Sequence, residues 1–303
     1  MDHAAVPLPD ARLAILIVNY QTGDEIGALI DSLRAHPPNL PWHAVVIDNG
    51  SPDGSGEQLA QRYAAATDVT VWLTGRNLGF GQANNWAAKQ LTAEYLAFLN
   101  PDCLVEADAF TAAVEYLERN PGIGVVGPRF YRSWGELEAT VRTFPDLWAG
   151  LAGRQSKLRK LWPNNPLSKR YLVEDQAMDG AMVCDWVVGT VMVVRRGEFL
   201  RIGGFDPDFF LYWEDCDLCW RYLKRLQLKT AYLPVGHVVH LSEGASKKVR
   251  PFAIRHFNRA AYTLVRKHIY VSRLHPLRWF AWLALGLRTR LQLRKAVGES
   301  VAR

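Results

Sequence analysis

Side chains able to bind a polar ligand recur at four places in the first hundred residues, each directly after a short apolar run. Asn19 and Tyr20 follow Ala14–Val18, and Asp48, Asn49 and Asp53 follow Ala44–Ile47. Arg76 and Asn77 follow Val69–Leu73, and Asn100 and Asp102 follow Tyr95–Leu99. Carboxylates accept hydrogen bonds from ribose hydroxyls or from the imide N–H of a pyrimidine, and amides both donate and accept. A carboxylate can also hold a divalent cation, which neutralises a phosphate group. Farther along, Glu214 and Asp215 are adjacent carboxylates of the kind that deprotonates a hydroxyl nucleophile. No Gly-x-Gly-x-x-Gly turn follows the first apolar run and no Gly-x-x-x-x-Gly-Lys-Ser/Thr occurs anywhere. That speaks against a dinucleotide oxidoreductase and a P-loop phosphotransferase.

Short apolar runs alternate here with amphipathic stretches such as Ile26, Leu29, Ile30, Leu33 and Phe110, Ala113, Val114, Leu117. The pattern predicts an α/β fold with a doubly wound, mostly parallel sheet flanked by helices. In such sheets ligands sit outside the carboxyl ends of the strands, where all four polar clusters fall. Val187–Val194 reads as one further buried strand, leading through Gly203–Asp206 to a helix that starts near Asp217. Asp217 would cap that helix and Arg221, one turn on, would pair with it. Residues 132–182, rich in Trp, Pro and Gly with a basic stretch from Arg154 to Lys160, read as an insertion over the site.

The 303 residues carry a net charge of +6, which hides a split. Residues 1–246 hold 22 basic and 29 acidic side chains, while residues 247–303 hold 14 basic and one acidic, Glu299. A basic tail of this kind suits a polyanion or an anionic membrane. Within it, the apolar run Trp279–Leu287 is about half the length of a spanning helix. A helix lying in the headgroup layer, or one packed on the domain with a solvated basic face, both fit the pattern. No nucleic-acid-binding module is recognisable. Four cysteines are too few for a disulfide framework, and Cys216 and Cys219 read as packing residues. The N-terminus lacks the basic start and apolar stretch of a signal peptide, so a reducing cytoplasm is expected.

Several motifs in order resemble the family 2 glycosyltransferases, and within them the rhamnosyltransferase-like branch. They are Ile-Val-Asn19-Tyr20, Asp48-Asn-Gly-Ser51-x-Asp53, Arg76-Asn-Leu-Gly-Phe-Gly-x-x-Asn84-Asn85 and Leu-Asn100-Pro-Asp102. The order continues with Asp185-Trp-Val-Val-Gly189, Gly203-Gly-Phe-Asp206-x-x-Phe-Phe210 and Trp213-Glu-Asp215-x-Asp-Leu-x-x-Arg221. The resemblance spans roughly residues 12–246. It implies a GT-A domain over 1–246, while the charge split and helical pattern mark 247–303 as a basic amphipathic helical tail. It also implies a nucleotide-diphosphate sugar donor, dTDP-rhamnose foremost, a divalent metal (Mn2+ or Mg2+) and inversion at the anomeric carbon.

The resemblance assigns Asn19, Tyr20, Asp48, Asn49, Asp53, Arg76, Asn77 and Asn100 to the donor nucleotide. It assigns Asp102 and His240 to the metal, Asp185 and Trp186 to the acceptor side, Asp215 to the general base and Glu214 to a supporting role. Asn100 stands where the wider family has the first Asp of an Asp-x-Asp motif, so the site has one anionic ligand fewer. Local chemistry offers each residue a second use: an Asx turn or helix cap for Asp48 and Asp53, a cap for Asp102, a structural imidazole for His240, core packing for Trp186. The acceptor would be a saccharide or a polyprenyl-linked saccharide of cell-surface polysaccharide assembly, met on the inner face of the cell membrane. A UDP-hexose transferase of the same fold and a catalytically silent membrane-bound scaffold are the competing expectations.

Overall fold

The computed structural model describes residues 11–133, 135–138, 140–146, 161–162, 180–241 and 250–301. The basic stretch 154–160 and the segment 242–249, where the tail was expected to begin, lie outside the described residues.

Four parallel strands form one half of the sheet: β1 (Leu13–Asn19), β2 (Trp42–Asp48), β3 (Val69–Leu73) and β4 (Tyr95–Leu99), in the order β3-β2-β1-β4. All seven residues of β1 are buried. Leu13, Ile15 and Ile17 enter one core, and Ala14, Leu16 and Val18 the other, as a strand covered on both faces requires. Helices α1 (Gly23–Ala35), α2 (Ser55–Arg62) and α4 (Phe110–Arg119) fill the first core through Leu29, Leu33, Leu59, Phe110 and Leu117. Helix α3 (Phe80–Gln90) fills the second through Ala83, Ala87 and Ala88, joined by Phe199 of α5 (Arg196–Arg201) and Leu218 of α6 (Glu214–Arg221).

The other half of the sheet is mixed. Strand β10 (Val191–Arg195) runs antiparallel to both β4 and β6 (Ile123–Arg132), and β11 (Lys229–His240) pairs parallel to β6. Strands β5 (Cys103–Ala107) and β8 (Met182–Cys184) pair antiparallel with β11. A separate two-stranded ribbon joins β7 (Val141–Arg142) to β9 (Trp186–Val187).

Two expectations need correction. The apolar run 187–194 is not one strand: it breaks at Val188–Thr190, and its halves belong to different sheets. The break frees the Gly189 N–H, which donates to a side chain of α6. Helix α6 starts at Glu214, not near Asp217, and Asp217 lies inside its first turn. The start is set by backbone: Tyr212 (φ 72°) and Trp213 (φ 68°) both adopt the left-handed conformation that bulky side chains rarely enter. Asp217 is fully buried, and its pairing with Arg221 at 2.7 Å is as expected.

After a π-helical turn over 265–269, helix α7 (Arg250–Leu264) folds back onto α8 (Pro276–Val301), where Asn258 donates to Gln292 at 2.9 Å. The hairpin rests on the segment before α6. Phe257 packs on Tyr212 and Trp213, Lys267 pairs with Asp206 at 2.6 Å, and His268 meets Asp217 at 2.7 Å.

Candidate active site

The carboxyl ends of β1 to β4 share one edge of the sheet, so the four polar clusters come together there. Asn19 ends β1 with no exposed surface. Its amide donates to Asp48 at 2.8 Å and to the hydroxyls of Ser51 and Ser55, and its carbonyl oxygen accepts from the N–H and hydroxyl of Thr22. Asp48, also buried, uses its other oxygen to accept from the N–H groups of Gly50 and Ser51. Asn49 donates to Asn77 at 3.1 Å and accepts from Leu78 N–H at 2.8 Å, which ties the loop after β2 to the loop after β3. These residues therefore shape the loops, because their side chains are already committed. Asp53 performs turn chemistry, accepting from Ser55 N–H at 3.1 Å at the entry to α2, and bonds to Ser55 hold its carboxyl below the usual range. Exposed at the edge are Tyr20, at 43%, Asp53, Asn77 and Arg76, the last without an ion pair among the described residues.

Asp102, just past β4, faces His240 at the end of β11, with 3.3 Å between Oδ2 and Nε2. On the other ring nitrogen, Nδ1, stands Glu138 at 3.2 Å. Burial alone would lower the imidazole, but the bonds to Asp102 and Glu138 outweigh it and raise His240 to about 9. The set fits a divalent cation: a hard carboxylate and an imidazole nitrogen face each other across a proton that a cation would displace. Glu138 would then hold Nδ1–H, the partner that fixes a ligating histidine's tautomer. Among the described residues no cluster of three or more His, Cys, Asp and Glu side chains converges on one point, so the remaining ligands would come from the diphosphate or water.

The adjacent carboxylates Glu214 and Asp215 lie one step away. Asn100 N–H donates to Thr190 carbonyl at 3.0 Å, and the neighbouring Gly189 N–H donates to Asp215 Oδ2 at 2.9 Å. One short segment thus ties the end of β4 to α6. Asp215 is half-buried, and its second oxygen accepts from Cys216 N–H at 2.7 Å. Burial pushes the Asp215 carboxyl up, against the pull of those backbone bonds and of Arg142. Glu214 is buried and is pushed up to about 8, first by burial and then by the charge of Asp215. Among the described residues neither Glu214 Oε2 nor Trp213 Nε1 has a hydrogen-bond partner although both are buried. Unsatisfied groups of this kind, beside two strained residues, mark places where a ligand supplies the missing bond.

Asp185 and Trp186 hold the strand pair β7–β9. Asp185 accepts from Phe144 N–H at 2.7 Å, Trp186 donates to Thr143 carbonyl at 3.0 Å, and the Trp186 ring lies 6.0 Å from that of Trp213. Cys216 and Cys219 are buried with thiols pushed up by burial, Cys219 to about 12, and all four cysteines are free. Sequence reasoning missed Glu138, Arg142 and His268. Their partners lie far along the chain, 102 positions away for Glu138 and 51 for His268, and no local pattern links them.

A half-parallel sheet whose carboxyl edge carries nucleotide-type loops, an acid–imidazole pair and a buried carboxyl pair defines a GT-A glycosyltransferase fold. Two solved structures share it: a mannosyltransferase from Pyrobaculum calidifontis in complex with GDP-Man and Mn2+, and GalNAc-T7 with UDP, GalNAc and Mn2+. The first has a TM-score of 0.57 at 18% identity, covering 99% of this chain and 77% of that one. The second has a TM-score of 0.59 at 16% identity, covering 88% and 54%. The family model Glycosyl transferase family 2 matches residues 14–179, and the chain belongs to that family. An N-acetylglucosaminyl-diphospho-decaprenol L-rhamnosyltransferase of Mycobacterium tuberculosis is 28% identical over 300 residues, covering 95% of both chains. Rhamnosyltransferase WbbL of Escherichia coli is 26% identical over 268 residues, covering 86% of this chain and 95% of that one.

Proposed function

We propose that this glycosyltransferase moves L-rhamnose from dTDP-rhamnose onto a lipid-linked saccharide with inversion, in the assembly of a cell-surface polysaccharide. The observation that carries the reading is the Asn100–Thr190–Gly189–Asp215 connection, which ties a half-buried carboxyl to the strand end that precedes Asp102. Asp215 takes the proton of the acceptor hydroxyl as that oxygen bonds the anomeric carbon and the carbon–oxygen bond to the diphosphate breaks. Its raised affinity for a proton suits a base of this kind, and Gly189 and Cys216 N–H groups fix its direction. Glu214, protonated near neutrality, donates to acceptor or donor hydroxyls.

Asp102 and His240 would hold a divalent cation, which supplies charge neutralisation to the departing diphosphate. Arg76 and Tyr20 meet the nucleotide, on loops that Asn19, Asp48, Asn49 and Asn77 brace. Asp185 and Trp186 shape the acceptor side. The rhamnosyl donor and the lipid-linked acceptor are supported by the names of the two relatives that match most of this chain. A lipid-linked acceptor also places the enzyme on the inner face of the cell membrane, held there peripherally.

The test is a thermal-shift screen of nucleotide sugars with and without Mn2+, followed by a transfer assay with the stabilising donor. A bound donor at 100 times its dissociation constant stabilises by about 2.7 kcal/mol. Metal-dependent stabilisation by dTDP-rhamnose is the expected result. Stabilisation by a UDP-hexose alone would reassign the donor, and no response to any donor would favour a silent scaffold.

A further inference from the structure

The C-terminal hairpin carries a surface that sugar transfer does not use. On α8, Trp279, Phe280, Leu283, Leu287 and Leu291 are each between 56% and 66% exposed. At the turn of an α-helix they fall within a sector of about 120°. Gln292, which holds α7, falls on the opposite side of α8. Trp282 flanks the stripe, and the exposed Val271 and Leu274 extend it into the turn before α8. Exposed apolar residues in one contiguous face mark a docking surface.

Its charge selects the occupant. Arg290 and Arg294 fall in the same sector, Arg288 and Lys295 border it, and no acidic residue occurs from 247 through 298. A second copy meeting this face would set cation against cation. A polyanion without an apolar phase would leave the Trp and Leu side chains in water. Among the described residues no helix is long and apolar enough to cross a membrane. Trp, Phe and Leu on one face suit burial at the boundary between headgroups and acyl chains, and arginines within that face can reach the phosphates by extending their apolar stems.

We propose that α8 docks in the headgroup layer of an anionic bilayer through Trp279, Phe280, Leu283, Leu287 and Leu291, with Arg290 and Arg294 on lipid phosphates. This deepens the membrane placement above and rests on it only for the choice of leaflet. The same hairpin grips the catalytic helix through His268–Asp217 and through Phe257 on Tyr212 and Trp213. Docking therefore fixes the direction in which Glu214 and Asp215 face the lipid surface.

The test is flotation of the full chain with phosphatidylcholine vesicles, with and without phosphatidylglycerol. The wild type floats with the anionic vesicles only. Phe280→Ser with Leu283→Ser lowers partitioning by at least about tenfold, since two buried apolar side chains are lost. Arg290→Ala with Arg294→Ala lowers it about thirtyfold, at about 1 kcal/mol per cation. Both variants lie on exposed surface and keep the wild-type melting temperature and donor-induced shift, which separates this test from that of the transfer reaction. The proposal is overturned if the wild type does not float, or if both variants float as it does. It is also overturned if the apolar variant instead dissociates a dimer, which would make a second copy the occupant.

Discussion

At the ends of β1 to β3, Asn19, Asp48, Asn49 and Asn77 bond to one another and to the loops they end, whereas at the start of α6 Glu214 and Trp213 keep buried polar atoms without a partner among the described residues. The first region is braced by its own bonds. Its side chains hold the loops in shape, so a ligand bound there would cost little in ordering. The second region is incomplete. Two bulky residues in the left-handed conformation, a protonated glutamic acid and an unpaired indole N–H each raise the free energy of the unliganded protein. One half is satisfied as it stands, and the other keeps bonding capacity for a ligand to meet.

The largest effect that tests this contrast is on turnover. Asp215→Asn keeps both backbone hydrogen bonds within reach but removes the base, so transfer falls about 10²- to 10⁴-fold while donor binding by thermal shift persists. Unchanged turnover would place the base elsewhere. Asn19→Ala is the counterpart on the braced side. It orphans an oxygen of buried Asp48 and the Thr22 N–H, lowering unfolding free energy in urea by about 3 kcal/mol. A loss in turnover with wild-type stability would mean that Asn19 touches substrate.

Glu138→Ala tests the imidazole that faces Asp102. Loss of the Nδ1 partner weakens Mn2+ binding, measured calorimetrically, by about 10- to 100-fold, and Glu138→Gln, which still accepts a hydrogen bond, weakens it less. Equal affinities in all three proteins would remove the assignment of His240 to the metal. The smallest effect is the pH dependence of stability. Glu214 binds its proton more tightly folded, about 8, than at its ordinary 4.5. Its contribution is therefore complete below 4.5 and is lost as pH rises through 8. Over that window it lowers stability by up to about 1.4 kcal/mol per pH unit, and Glu214→Gln flattens the slope.

The parallel half of the fold was readable from the sequence because β1, β2 and β4 are buried on both faces and all four strands are followed at once by polar, turn-forming residues. The reversal of β10 was not, since a run such as Val191–Val194 carries no mark of direction. Nor was the break at Gly189 within the same apolar run, because hydropathy continues across it while the backbone turns to reach Asp215. The start of α6 escaped for a similar reason. No side chain caps it, and left-handed Trp213 supplies the turn that an Asp or Ser would otherwise announce. The donor-side residues were found as a group. Their roles divide only in three dimensions, where Asn19 is sealed under the loops and Arg76 stands outside them.

The ribbon of β7 and β9 has a consequence for how such enzymes diverge. Val141 pairs with Val187, Phe144 N–H meets Asp185 and Trp186 meets Thr143, so two stretches about forty positions apart are closed by a single clasp. Chain between two fixed ends is thermodynamically cheap to lengthen, each doubling adding only about 0.6 kcal/mol. A change of length between the two sides of the clasp is therefore cheap so long as Val141, Thr143 and Phe144 keep their partners. The ribbon thus marks where the fold tolerates insertion and where it does not.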